Sequence, residues 1–175
     1  MLSLEKIPVL GLGINHQKSY EPLIGRSKCL LDFIEFNPDT LCTWKQNEGN
    51  ASPESHNKKP NSGDDWFLQL SNERFEHFTT QCLNANSNKP AIAHGLSLSI
   101  GSASGWNESY LTVLDYIMSH LPLPWHSEHL GFLQIDTPEG ETVHAGSQLP
   151  MPFFRSAIDL LIPSCLLYTS PSPRD

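Results

Sequence analysis

Pro90–Leu130 reads PAIAHGLSLSIGSASGWNESYLTVLDYIMSHLPLPWHSEHL, and one β-α-β unit is written in it. Ala91-Ile92-Ala93-His94 is a short apolar run after a proline, the mark of a buried strand. From Asn107 or Glu108 onward, Tyr110, Leu111, Leu114, Ile117, Met118 and Leu121 recur at helical spacing. Pro122 stops that helix, because it has no N–H to give the next turn. Trp125–Leu130 follows as another strand. Two strands joined through a helix run parallel, because an antiparallel pair needs only a short turn.

The same alternation extends outward. Upstream, Val9–Ile14 and Phe33–Phe36 read as strands, with a weak helix between them over Gln17–Lys28 that carries Pro22 and Gly25. Trp66, Phe67, Leu70, Phe75, Phe78 and Leu83 fit a helix capped by Asp64 or Asp65. Downstream, Leu133–Val143 reads as a hairpin around Pro138-Glu139-Gly140, and Pro152–Ile162 as a fourth helix. Four β/α repeats predict an α/β fold: a (β/α)8 TIM barrel truncated to about its first four units. No GxGxxG or GxxxxGK[ST] is present, and Gly11-Leu12-Gly13 lacks the third glycine of a dinucleotide loop.

The chain has 175 residues, short of the roughly 200–250 of a whole barrel. Its net charge is −8 with no basic patch, so duplex nucleic acid is not an expected partner. Of the 175 residues, 38% are hydrophobic, and the deficit is concentrated in 43–65, which is read as a flexible insertion that cannot offset its ordering entropy. The four cysteines, Cys29, Cys42, Cys82 and Cys165, show no CxxC pair. No signal peptide and no membrane span is evident, so the expectation is a cytoplasmic protein with free thiols. The last residues, CLLYTSPSPRD, back-translate in frame to the transposase adapter of sequencing libraries. The expected organisation is therefore 1–164 as the N-terminal half of a barrel and 165–175 as a tail outside the fold.

In a parallel β/α fold, chemistry sits at the C-terminal ends of the strands. Those ends carry Asn15-His16, Glu35, His94 and Ser127-Glu128-His129. One strand-end histidine is commonly a hydrogen-bonded structural residue. His94 and His129 at equivalent ends of neighbouring strands instead point to a metal, with Fe, Zn, Mn and Co all suited to imidazole and carboxylate. His16 stays open between ligand and structural residue, and Glu35 between ligand and ion-pair partner. Glu128 and His126 face away from Ser127 by the period of two. His56, His77, His120 and His144 are expected to be solvated.

The motifs then resemble those of a known family. His94–Gly101, HGLSLSIG, is similar to the HGxxLSLG signature of the multinuclear non-haem iron-dependent oxidases, long catalogued as domain of unknown function 692. Ser127-Glu128-His129-Leu130 resembles its S[DE]HL, Leu149–Phe153 its LPxPY, and Phe33–Asp39 its FLEVxPEN. The resemblance covers most of Val9–Ile162 in the family's own order. It implies a TIM barrel with two or three irons, O2 as co-substrate, and oxidation of cysteine or another residue of a ribosomally made precursor peptide. It also implies a partner protein that binds the leader. Carried over by position, His94 and His129 match metal ligands, and Asn15, His16, Glu35 and Ser127 line the site. Asp39-Thr40 departs from the family's Glu-Asn, the insertion is unusual, and the family's later ligands have no counterpart here, so the fragment is expected to be inactive alone. The rival expectations are another metal-dependent barrel, of the xylose-isomerase or endonuclease-like kind, and a non-catalytic fragment.

Overall fold

A computed structural model describes residues 9–26, 30–46, 66–83, 89–103, 105–139 and 142–169. The described chain forms two compact units. The first takes its residues from Met1–Thr43, Gln69–Gly95 and Thr112–Ser127, the second from Trp44–Leu68, Leu96–Leu111 and Glu128–Asp175. No helix among the described residues is long and apolar enough to cross a membrane.

In chain order the strands are β1 (Gly13–Asn15), β2 (Phe33–Phe36), β3 (Cys42–Gln46), β4 (Trp66–Leu70), β5 (Ala91–Gly95), β6 (His126–Glu128), β7 (Gly131–Asp136) and β8 (Thr142–Pro150). The helices are α1 (Glu21–Arg26), α2 (Asn72–His77), α3 (Glu108–His120) and α4 (Arg155–Thr169). The fold is mixed α/β. Its main sheet is parallel, with strand order β1-β2-β5-β6. They fall in the four stretches expected from the sequence and in the expected order, but β1 is Gly13–Asn15 rather than a buried Val9–Ile14, Val9 and Leu12 being exposed, and β6 is only His126–Glu128 of the expected Trp125–Leu130.

The first unit is built on the two faces of this sheet. In a parallel pair, residues in register point to the same side. Asn15 is in register with Glu35, and Glu35 with Ile92, so all three share a face; His94, two residues past Ile92, shares it too. Ile34 and Phe36 point the other way and are wholly buried. Phe36 packs against Phe78, ring centroids 4.6 Å apart, so this is the side that the helices cover. On the open face Phe33 lies across Gly13, where a Cβ would run into its ring.

α2 corrects the reading of 66–83 as one helix. Trp66–Leu70 is the strand β4, paired with β3, and Ser71 caps α2 by accepting from the Arg74 N–H at 3.4 Å. Asp64 and Asp65 lie outside the described residues, as do 47–65 of the expected insertion; Thr43–Gln46, placed in that insertion, belongs to β3. Short aromatic runs suit either state, and pairing decides. After α2 the chain widens into a π-helical turn over Phe78–Leu83. The Thr79 and Thr80 hydroxyls donate to the Glu76 carbonyl, at 3.0 and 2.7 Å. Arg74 ties α2 to the segment after β2, donating to the Cys42 carbonyl at 2.6 Å.

The second unit holds the HGLSLSIG turn and the β7–β8 hairpin. Leu98 is wholly buried, and Ser99 adopts φ 58°, a left-handed conformation that normally favours glycine. Its hydroxyl explains the choice: it accepts the Leu133 N–H at 2.7 Å and meets the Ser102 hydroxyl at 2.6 Å. The Gly101 N–H reaches the Gly131 carbonyl at 2.9 Å. The hairpin turns where expected, although its strands are longer than 133–143. α4 starts later than the expected Pro152 and continues to Thr169, with Pro163 inside it.

Candidate functional site

At the C-terminal edge of the parallel sheet, two hydrogen-bonded pairs stand on the open face. Asn15 Nδ2 donates to Glu35 Oε1 at 2.9 Å. His94 Nδ1 lies 2.8 Å from the Ser127 hydroxyl. Both pairs cross neighbouring strands, β1 to β2 and β5 to β6. The sheet therefore places Asn15, Glu35, His94 and Ser127 on one side of one edge. His94 and Glu35 are half-buried. A hydroxyl on Nδ1 fixes the ring orientation, so Nε2 is the atom with which His94 would meet a metal. His129 follows the last residue of β6 directly and is exposed.

His16 keeps different company. Its backbone N–H reaches the Glu35 carbonyl at 2.6 Å, but its ring packs edge-on against Phe78, centroids 5.0 Å apart. It is thus on the side of Phe36, opposite to Glu35. Its Nε2 is 3.2 Å from Glu21 Oε1, and its Nδ1 is buried with no hydrogen-bond partner.

His77, expected to be simply solvated, completes this second cluster. It is half-exposed, and its Nε2 lies 2.9 Å from Glu21 Oε2. Burial pushes the Glu21 carboxyl up, but hydrogen bonds from His77 and His16, and their charges, outweigh it and leave the group below its usual value. Cys82 is buried nearby, its thiol pushed up to about 12 by burial and by the Glu21 charge. A cavity of about 530 Å³ opens here, lined by His16, Glu21, Arg74, His77 and Phe78 among others. No motif reveals the cluster, because Glu21 and His77 are 56 positions apart.

The other candidates sort simply. His120 is exposed and stacks on Tyr116 at 4.0 Å. His126 and Glu128 are half-buried, and both Glu128 carboxylate oxygens are out of water. His56 and the side chain of His144 lie outside the described residues. The second unit has its own cavity of about 390 Å³, mainly apolar, walled by Phe132, Met151, Phe154 and Leu160 among others; it contains none of the expected site residues.

Residues 56–165 match the family model described as RiPP precursor modification enzyme MbnB/TglH/ChrH, where RiPP denotes a ribosomally synthesised and post-translationally modified peptide. No curated protein and no solved structure gives a match.

Proposed function

The chain belongs to this family of RiPP precursor modification enzymes, and from that premise we propose an iron-dependent oxidase that uses O2 to modify a precursor-peptide residue, cysteine in our reading. The observation that carries it is the shared face of Asn15, Glu35, His94 and Ser127 at the C-terminal strand edge, where parallel β/α folds do chemistry. In this reading His94 and His129 hold iron. The donor chemistry fits: an imidazole held by a hydroxyl through Nδ1, and a carboxylate oriented by an amide, are the outer contacts that ligands in such centres need. When bound, iron would supply the redox chemistry that lets O2 oxidise a peptide side chain.

The chain's own residues then have separate tasks. Ser127 sets the His94 ring. Asn15 holds one oxygen of Glu35, so the carboxylate faces the same side as His94 as a ligand or proton acceptor. Phe33, half-buried on that face, gives the site an apolar floor. The same reading takes the four parallel strands as the first units of a (β/α)8 barrel. It also includes a cytoplasmic setting, a precursor peptide as substrate and a leader-binding partner protein.

The test is anaerobic Fe(II) titration of the chain and of its His94→Ala and His129→Ala variants, with O2 uptake on a cysteine-bearing peptide measured in a chain that carries the whole barrel. Each variant should bind iron at least about tenfold more weakly, the scale at which site contacts act. Unchanged iron binding in either one removes that residue from the ligand set.

A further inference from the structure

We propose that His16, Glu21 and Cys82 form a binding site for a divalent zinc ion, on the helix-covered side of the sheet. One ligand atom from each residue lies within 4.8 Å of the others, close enough to surround a single ion. This cluster is on the opposite side of β2 from Glu35, because His16 packs on Phe78 and Phe78 on Phe36. It is therefore independent of the strand-edge reading given above.

Four features favour a metal over a plain ion pair. The donors are an imidazole, a carboxylate and a thiol, a mixture that suits zinc and that a salt bridge does not need. They come from three separate places: the residue after β1, the first residue of α1 and the π-helical turn. Only 8% of the His16 side chain and 19% of Glu21 are exposed, and Cys82 is wholly buried. Finally, the Nδ1 atom of His16 is dry and bare, although buried polar atoms are normally satisfied.

His77 holds the second oxygen of the carboxylate at 2.9 Å and is a positioning residue. The cavity beside the cluster provides a path for the ion and room for water as a further ligand. On binding, the Cys82 S–H bond breaks as the sulfur–zinc bond forms. The proton passes to solvent, and no oxidation state changes.

The experiment is titration of the reduced chain with Co²⁺, which reports thiolate ligation through a sulfur-to-metal charge-transfer band, followed by displacement with Zn²⁺. The expected result is a band that reaches full intensity with one ion bound at this site, loss of the band in Cys82→Ser, and a band that needs at least about tenfold more metal in Glu21→Gln and His77→Ala. His94→Ala should leave the band unchanged, which separates this site from the strand-edge one. Far-ultraviolet circular dichroism of each variant checks the fold. If Cys82→Ser does not fold, His16→Gln takes its place, with the same loss expected. Absence of the band in the parent chain overturns the proposal. So does a band that survives these substitutions, or one that disappears with His94.

Discussion

The hydroxyl of Ser127 makes one contact with His94, and its removal is a narrow test of the strand-edge site. Ser127→Ala deletes one oxygen and leaves the imidazole in place. Metal affinity should fall about 10–100-fold, the usual effect of losing an outer-shell partner. Fe(II) titration measures it, and an unchanged affinity would mean that Ser127 does not serve the ligand. The buried thiols give a second residue-scale expectation. Cys42 and Cys82 are both pushed up to about 12, chiefly by burial, so little thiolate exists at neutral pH. In the folded, metal-free chain neither should react with iodoacetamide over a period that labels both after denaturation. Peptide mapping by mass spectrometry would show this.

Elements reveal how much could be read from the chain in advance. β2 and β5 are mainly apolar runs, the first followed by Asn37 and the second preceded by Pro90, and α3 carries a clean helical period ended by Pro122; these were legible. The 66–83 stretch was not, since Trp66, Phe67 and Leu70 fit a helical wheel as well as a strand. Ser71, a good cap, was the available signal. At the edge of the sheet, Asn15, Glu35, His94 and Ser127 were legible because period two fixes a face. The Glu21 cluster was not, because no local pattern links residues on β1, α1 and α2. Two substitutions probe these elements. Gly13→Ala forces the Phe33 ring off the strand and should cost about 1–3 kcal/mol in urea unfolding, the range for overpacking. Phe33→Leu in the same chain should restore part of it. Arg74→Ala frees the Cys42 carbonyl and should cost about 1.5–3 kcal/mol, as for hydrogen bonds to charged groups.

At the scale of the whole molecule, pH acts through Glu21. Its carboxyl titrates below its usual value in the folded state, so the folded form binds that proton less readily than the unfolded one. The resulting stabilisation is present above the ordinary carboxylate value and is lost as the pH falls through the lower, folded value. Glu21→Gln should therefore flatten the acid limb of the metal-free chain's stability curve. The main sheet also ends in β1 and β6, and Leu12, Leu130, Phe153 and Phe154 are exposed apolar residues. Edge strands invite pairing with other chains. Sedimentation of the 175-residue chain should show self-association that increases with concentration.

Phe78 and Cys82, four residues apart, are both wholly buried, and the wider winding over Phe78–Leu83 fits one more residue into the turn between them than a tight winding would. Thr79 and Thr80 stabilise that winding from outside. An in-frame loss of a single codon here would return the segment to ordinary helical pitch. Helix content would hardly change, and Cys82, then three residues from Phe78 at about 100° each, would still face nearly the same way. The turn thus acts as slack in the chain's reading frame: it takes up one residue while the buried sulfur keeps its neighbours.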